Sequence, residues 1–112
     1  DVENLIRTSD LVISSSLSEG CPLVLIESLF FAKIFISTPV GEAADLLPVR
    51  FLTDTHDIAS KVIEIRRNYL FFCEEFRNFA NQVKDHYSAI SMVDQYLDAY
   101  DYVSSGMPFK RL

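Results

Sequence analysis

Glu19 and Glu27 stand eight residues apart in Ser18-Glu19-Gly20-Cys21-Pro22-Leu23-Val24-Leu25-Ile26-Glu27. A carboxylate among Leu23, Val24, Leu25, Ile26, Leu29, Phe30 and Phe31 is costly unless a polar group meets it, so chemistry is sought here first. Pro22 suits the first position of a helix, because its missing N–H would be an orphan donor there and its φ is already near helical. At such a start the amides of Leu23 and Val24, with those of Gly20 and Cys21 in the loop, face outward beside the positive end of the helix dipole. That arrangement cradles an anion. Glu19 lies on a loop that would close over a ligand, and Glu27 sits far enough along the helix to reach a group beyond the anion.

The elements that must position these groups follow from the pattern. Asp10-Leu11-Val12-Ile13-Ser14-Ser15-Ser16 begins apolar and ends small and polar, as a buried parallel strand does on leaving its sheet. The helix then runs from about Pro22 to Ala32. Residues 33–39 read as a second parallel strand, 42–47 as a short helical turn and Val49-Arg50-Phe51-Leu52 as a third, shorter strand. Thr53, Asp54 and Thr55 offer caps for a helix over roughly 57–68, with Ile58, Val62 and Ile65 inward. Another helix continues through Tyr87, with Phe72, Phe76, Phe79, Val83 and Tyr87 at spacings of three and four that favour core packing over a cofactor groove. Ser88 caps a last helix that buries Ile90, Val93, Leu97 and Tyr100 or Tyr96. Residues 1–8 form an amphipathic helix with Val2, Leu5 and Ile6 on one side, and 104–112 read as a flexible tail. The expectation is one α/β domain over 1–112: a partial Rossmann-like parallel sheet of about three strands flanked by helices, with further helices at the C-terminus. Ligands in that architecture bind outside the carboxyl ends of strands, here residues 16–22 and 38–42. Two carboxylates flanking a phosphate-binding helix end there describe a sugar-nucleotide site.

The segment from Ser9 to Glu27 resembles the donor-binding segment of the retaining glycosyltransferases of the GT-B fold, the group 1 or family 4 set. Their E-x7-E signature matches at Glu19 and Glu27, and the embedded Ser-Glu-Gly-x-Pro makes the match specific. The likeness continues through Ala32 to Gly41, with Asp45 where the family usually has an acid. It extends more loosely to Met92-Val93-x-x-Tyr96-Leu97-x-x-Tyr100. The resemblance implies the second half of a GT-B C-terminal domain, in an enzyme that transfers a hexosyl unit from a UDP-, GDP- or ADP-sugar with retention of configuration. By the same resemblance Glu27 binds ribose hydroxyls and Glu19 binds hydroxyls of the transferred sugar. The Leu23 and Val24 amides hold the diphosphate, while Gly20 and Cys21 present backbone to the sugar. No D-x-D metal motif is present, and no cofactor is expected. The family usually has Gly at the positions of Ala32 and Glu42 and Pro at that of Ile34. The changes at Ala32 and Ile34 should mostly alter packing, whereas Glu42 adds negative charge beside an anionic donor. An Arg and a Lys that neutralise the diphosphate, and an N-terminal acceptor domain bearing a His, are not in this chain. Its 112 residues and its start at Asp1 read as part of a donor domain, inactive alone.

Composition sets the remaining bounds. A net charge of −6 argues against nucleic acid or an anionic membrane as the main partner of this segment. No signal peptide or membrane-length apolar run is visible, so the location expected is cytoplasmic, with the intact enzyme peripheral to the inner membrane face at most. Cys21 and Cys73 form no C-x-x-C pair and are expected as free thiols. His56 and His86 have no metal-ligand spacing, and Arg66-Arg67 reads as a solvated helix end. A strand that has lost its neighbours would expose an edge through which the chain could dimerise. Read apart from their neighbours, Glu19 and Glu27 are ordinary surface acids. The alternative function is a non-catalytic Rossmann-like module for assembly or nucleotide binding. A receiver-like signalling domain would need an acidic cluster after its first strand, and that cluster is absent.

Overall fold

A computed structural model describes residues 1–106 as an α/β chain, mostly helical, around a two-stranded parallel sheet. The order is α1 (Val2–Thr8), β1 (Val12–Ser14), α2 (Leu23–Phe30), β2 (Phe35–Ser37), α3 (Gly41–Leu46), a 3-10 turn (Val49–Phe51), α4 (Ile58–Arg67), α5 (Tyr69–Val83), a second 3-10 turn (Lys84–Tyr87) and α6 (Ala89–Ser104). β1 pairs with β2 in register Val12 to Phe35, Ile13 to Ile36 and Ser14 to Ser37. The third strand expected at 49–52 reduces to a single parallel bridge between Ser37 and Leu52. Pro48 starts a tight turn in which the Phe51 amide donates to the Pro48 carbonyl at 2.8 Å, so the backbone is helical where a ladder would need it extended.

The core lies between the sheet, α2 and α5. Ile34, Phe35 and Ile36 are buried with Leu25 and Leu29 from α2, and Phe72, Phe76 and Ala80 from α5. Phe51 meets Phe76 edge-on at 5.1 Å and Phe72 at 6.1 Å, so the turn that replaced a strand still plugs the core. Each such burial contributes about 1.5–3 kcal/mol before entropy is counted. Ile65 of α4 is buried and Val62 packs beside it, as the helical spacing requires. Outside this core Arg7 stacks its guanidinium 4.4 Å over the Phe31 ring, holding α1 to the end of α2.

The helix expected over residues 1–8 forms as α1, with Ile6 buried and Val2 and Leu5 exposed. Three further expectations change. The helix of the aromatic stripe ends at Val83 and passes through a 3-10 turn before Ser88, whose hydroxyl caps α6 by accepting from the Ser91 amide at 3.1 Å. α6 itself buries none of Ile90, Val93, Tyr96, Leu97 or Tyr100. Its periodicity defined an apolar face, but among the described residues no element covers that face. The tail expected from Ser104 begins one residue inside α6, and its portion 107–112 lies outside the described residues.

At the end of α2, Ala32 takes φ +49, a left-handed conformation rare for a residue with a Cβ. The Lys33 amide donates to the Ser28 carbonyl at 2.9 Å and that of Ala32 to Leu29 at 3.2 Å, the paired bonds of a Schellman stop. Alanine at this position therefore acts chiefly on backbone conformation.

Candidate functional site

The loop between β1 and α2 and the loop between β2 and α3 leave the sheet side by side at its carboxyl edge. Three contacts lock them. Thr38 is buried, its amide donates to the Ser14 carbonyl at 3.1 Å and its hydroxyl donates to the Ser16 carbonyl. The Glu42 amide donates to the Gly20 carbonyl at 2.8 Å. Gly41, at φ +53, lies so close that a Cβ there would overlap the Glu19 and Gly20 carbonyl oxygens. Only glycine satisfies both the backbone angle and the space.

Glu19 is exposed on the first loop, and the Ser16 hydroxyl donates to its Oε1 at 2.6 Å. Gly20 is exposed and open, with nothing within 4 Å of the place a Cβ would take. Pro22 caps α2 in an extended conformation, φ −71 and ψ 119, so the helix begins at Leu23, one residue later than its Pro suggests. The Leu25 amide donates back to the Pro22 carbonyl at 3.0 Å and closes the first turn. Among the described residues, the amides of Gly20, Cys21, Leu23 and Val24 donate to no carbonyl or side chain. Leu23 and Val24 are exposed, so this end of the helix faces water. Glu27, the fifth residue of α2, is half-buried and finds no side-chain partner among the described residues. The loop and the helix start thus bring Glu19, Gly20, Cys21, Leu23 and Val24 to one edge of the sheet, and Glu27 follows on the helix that begins there.

Two residues beside this edge complete the electrostatics. Glu42, half-buried at the start of α3, accepts a hydrogen bond from the Tyr87 hydroxyl at 2.6 Å. The Glu42 carboxylate is therefore engaged by a neutral donor. Tyr87 is the participant that the sequence did not reveal as part of the site, since its spacing marks it only as core. Cys21 is exposed, yet local burial and, secondarily, the Glu42 carboxylate push its thiol above the ordinary range. A thiol so placed is mostly protonated at neutral pH and is a poor nucleophile.

A groove of about 560 Å³ lies between the start of α2 and α6, lined by Cys21, Leu23 and Ile26 from the first and Met92 and Tyr96 from the second, together with His86 and Tyr87. Neither Glu19 nor Glu27 lines it. Among the described residues no cluster of His, Cys, Asp or Glu could hold a metal ion, and no helix is long and apolar enough to cross a membrane. Comparison of the chain with protein-family models, with curated proteins and with solved structures finds no match.

Proposed function

We propose that this chain supplies the carboxylate and amide part of the donor site of a GT-B retaining glycosyltransferase, which transfers a hexosyl unit from a sugar nucleotide. The observation that supports the reading is the group of amides at Gly20, Cys21, Leu23 and Val24 that donate to no group among the described residues, at the carboxyl edge of a parallel sheet, in the segment between Glu19 and Glu27. In this reading the amides of Leu23 and Val24 hold the diphosphate at the positive end of α2. Glu27 accepts from the ribose and Glu19 from the transferred hexose. Gly20, open on its outer side, lets the sugar approach the backbone. The chemistry is then mainly positioning and stabilisation of an electron-poor sugar, with the departing diphosphate taking the acceptor proton.

The test is a pair of substitutions in an active transferase that contains this segment. Glu27→Gln weakens nucleotide binding by about 1.5–3 kcal/mol, because a ribose hydroxyl loses a charged acceptor. Glu19→Gln depresses turnover more than nucleotide affinity, since its partner becomes electron-poor only in the transition state. Variants that leave both quantities within about twofold, under 0.5 kcal/mol, make the two acids ordinary surface residues.

One observation favours a second reading, a module kept for assembly: the uncovered apolar face of α6. An intact chain that binds a partner and no sugar nucleotide would select it.

A further inference from the structure

α6 presents an apolar face along its whole length. Ile90 is 77% exposed, Tyr100 68% and Leu97 55%, and Val93, Tyr96 and Val103 are exposed beside them. At helical spacing these six fall within an arc of about 140°. Together they make an apolar face of the kind that marks an interaction site when large. The helix packs chiefly on the preceding 3-10 turn; Tyr96, at the margin of the face, also lines the groove toward α2, while among the described residues no element covers Ile90, Val93, Leu97 and Tyr100.

Charge says what covers it. Asp94, Asp98 and Asp101 follow at spacings of four and three and form a row beside Ile90 and Leu97, and no Lys or Arg occurs between Ala89 and Ser104. An anionic bilayer would be repelled by that row. A second copy brings a like row and the same net charge of −6. A helix with apolar residues at i, i+3, i+4 and i+7 and Lys or Arg along one flank satisfies both the face and the row. We propose that α6 is a docking surface for a basic amphipathic helix of a partner polypeptide, seated on Ile90, Val93, Leu97 and Tyr100 with its cations against Asp94, Asp98 and Asp101.

The test titrates the full 112-residue chain with a synthetic Leu/Lys amphipathic helical peptide and with its Leu/Glu twin, by calorimetry at low and physiological salt. The Leu/Lys peptide should bind saturably, one per chain, and the twin should not. Leu97→Glu should weaken binding at least about tenfold. The triple change Asp94→Asn, Asp98→Asn and Asp101→Asn, which preserves shape, should weaken it by a similar factor and flatten its salt dependence. Both changes are at exposed positions, and an unchanged thermal midpoint checks that the fold is kept. Equal binding of the two peptides, absence of saturable binding, or unchanged affinity in either variant would overturn the proposal. So would a concentration-dependent dimer abolished by Leu97→Glu, or binding of the chain to anionic vesicles in preference to the peptide.

Discussion

The Tyr87 hydroxyl donates to the Glu42 carboxylate at 2.6 Å, while the Glu42 amide donates to the Gly20 carbonyl at 2.8 Å. One residue therefore fastens the segment leading into α6 to the loop that carries Glu19. Tyr87→Phe should leave a half-buried carboxylate without its donor and cost about 1–3 kcal/mol of stability in urea unfolding. Glu42→Gln combined with Tyr87→Phe should cost less than the two single changes added, because they share one bond. Strict additivity would mean that the bond contributes nothing.

The phenols give a pH dependence with a definite sign. Hydrogen bonding with Cys73, then burial, and then Asp10 push the Tyr69 phenol up to about 12. Burial and the bond to Glu42 push that of Tyr87 above its ordinary range. In the unfolded chain both ionise near 10. The folded state holds these protons longer, so their contribution is full below pH about 10 and is lost as pH rises through the folded values. Stability should hold up to pH about 9 and fall beyond 10, and Tyr87→Phe should shallow the fall. An identical slope in the variant would remove Tyr87 from the account.

The two glycines of the site should separate. Gly41→Ala forces a Cβ into the Glu19 and Gly20 carbonyls at a left-handed backbone angle, so it should cost at least about 2 kcal/mol and loosen the loop. Gly20→Ala meets open space and should leave thermal stability nearly unchanged, while weakening sugar-nucleotide binding. A Gly20→Ala chain that binds like the parent would show that backbone does not approach the ligand there.

Ala32→Gly should raise stability by about 0.5–1 kcal/mol, since it relieves a left-handed alanine whose strain exceeds the entropy that glycine adds to the unfolded chain. A loss on this substitution would place the benefit of the methyl group above the strain.

The strands Val12–Ser14 and Phe35–Ser37, the helix Ile58–Arg67 and the Ser88 cap were legible because apolar runs, spacing and capping chemistry are local. Val49–Leu52 was not, since its β-branched and aromatic residues favour a strand while Pro48 and the packing of Phe51 select a turn. Periodicity located the apolar face of α6 but carries no information on whether another element covers it. The Gly41 contact and the Tyr87 bond join residues 21 and 45 positions apart, so no local pattern encodes them. Around the candidate site, the loop and the helix start were legible, and the locks that hold the loop were not.

The most direct test of the donor-site account is an amide NMR titration of the full chain with UDP-, GDP- and ADP-sugars. One of them should shift the Gly20, Cys21, Leu23 and Val24 amides at millimolar concentration, with the shifts sharply reduced in Glu27→Gln. Absence of shifts at these four amides with every donor, or shifts confined to other parts of the chain, would contradict it.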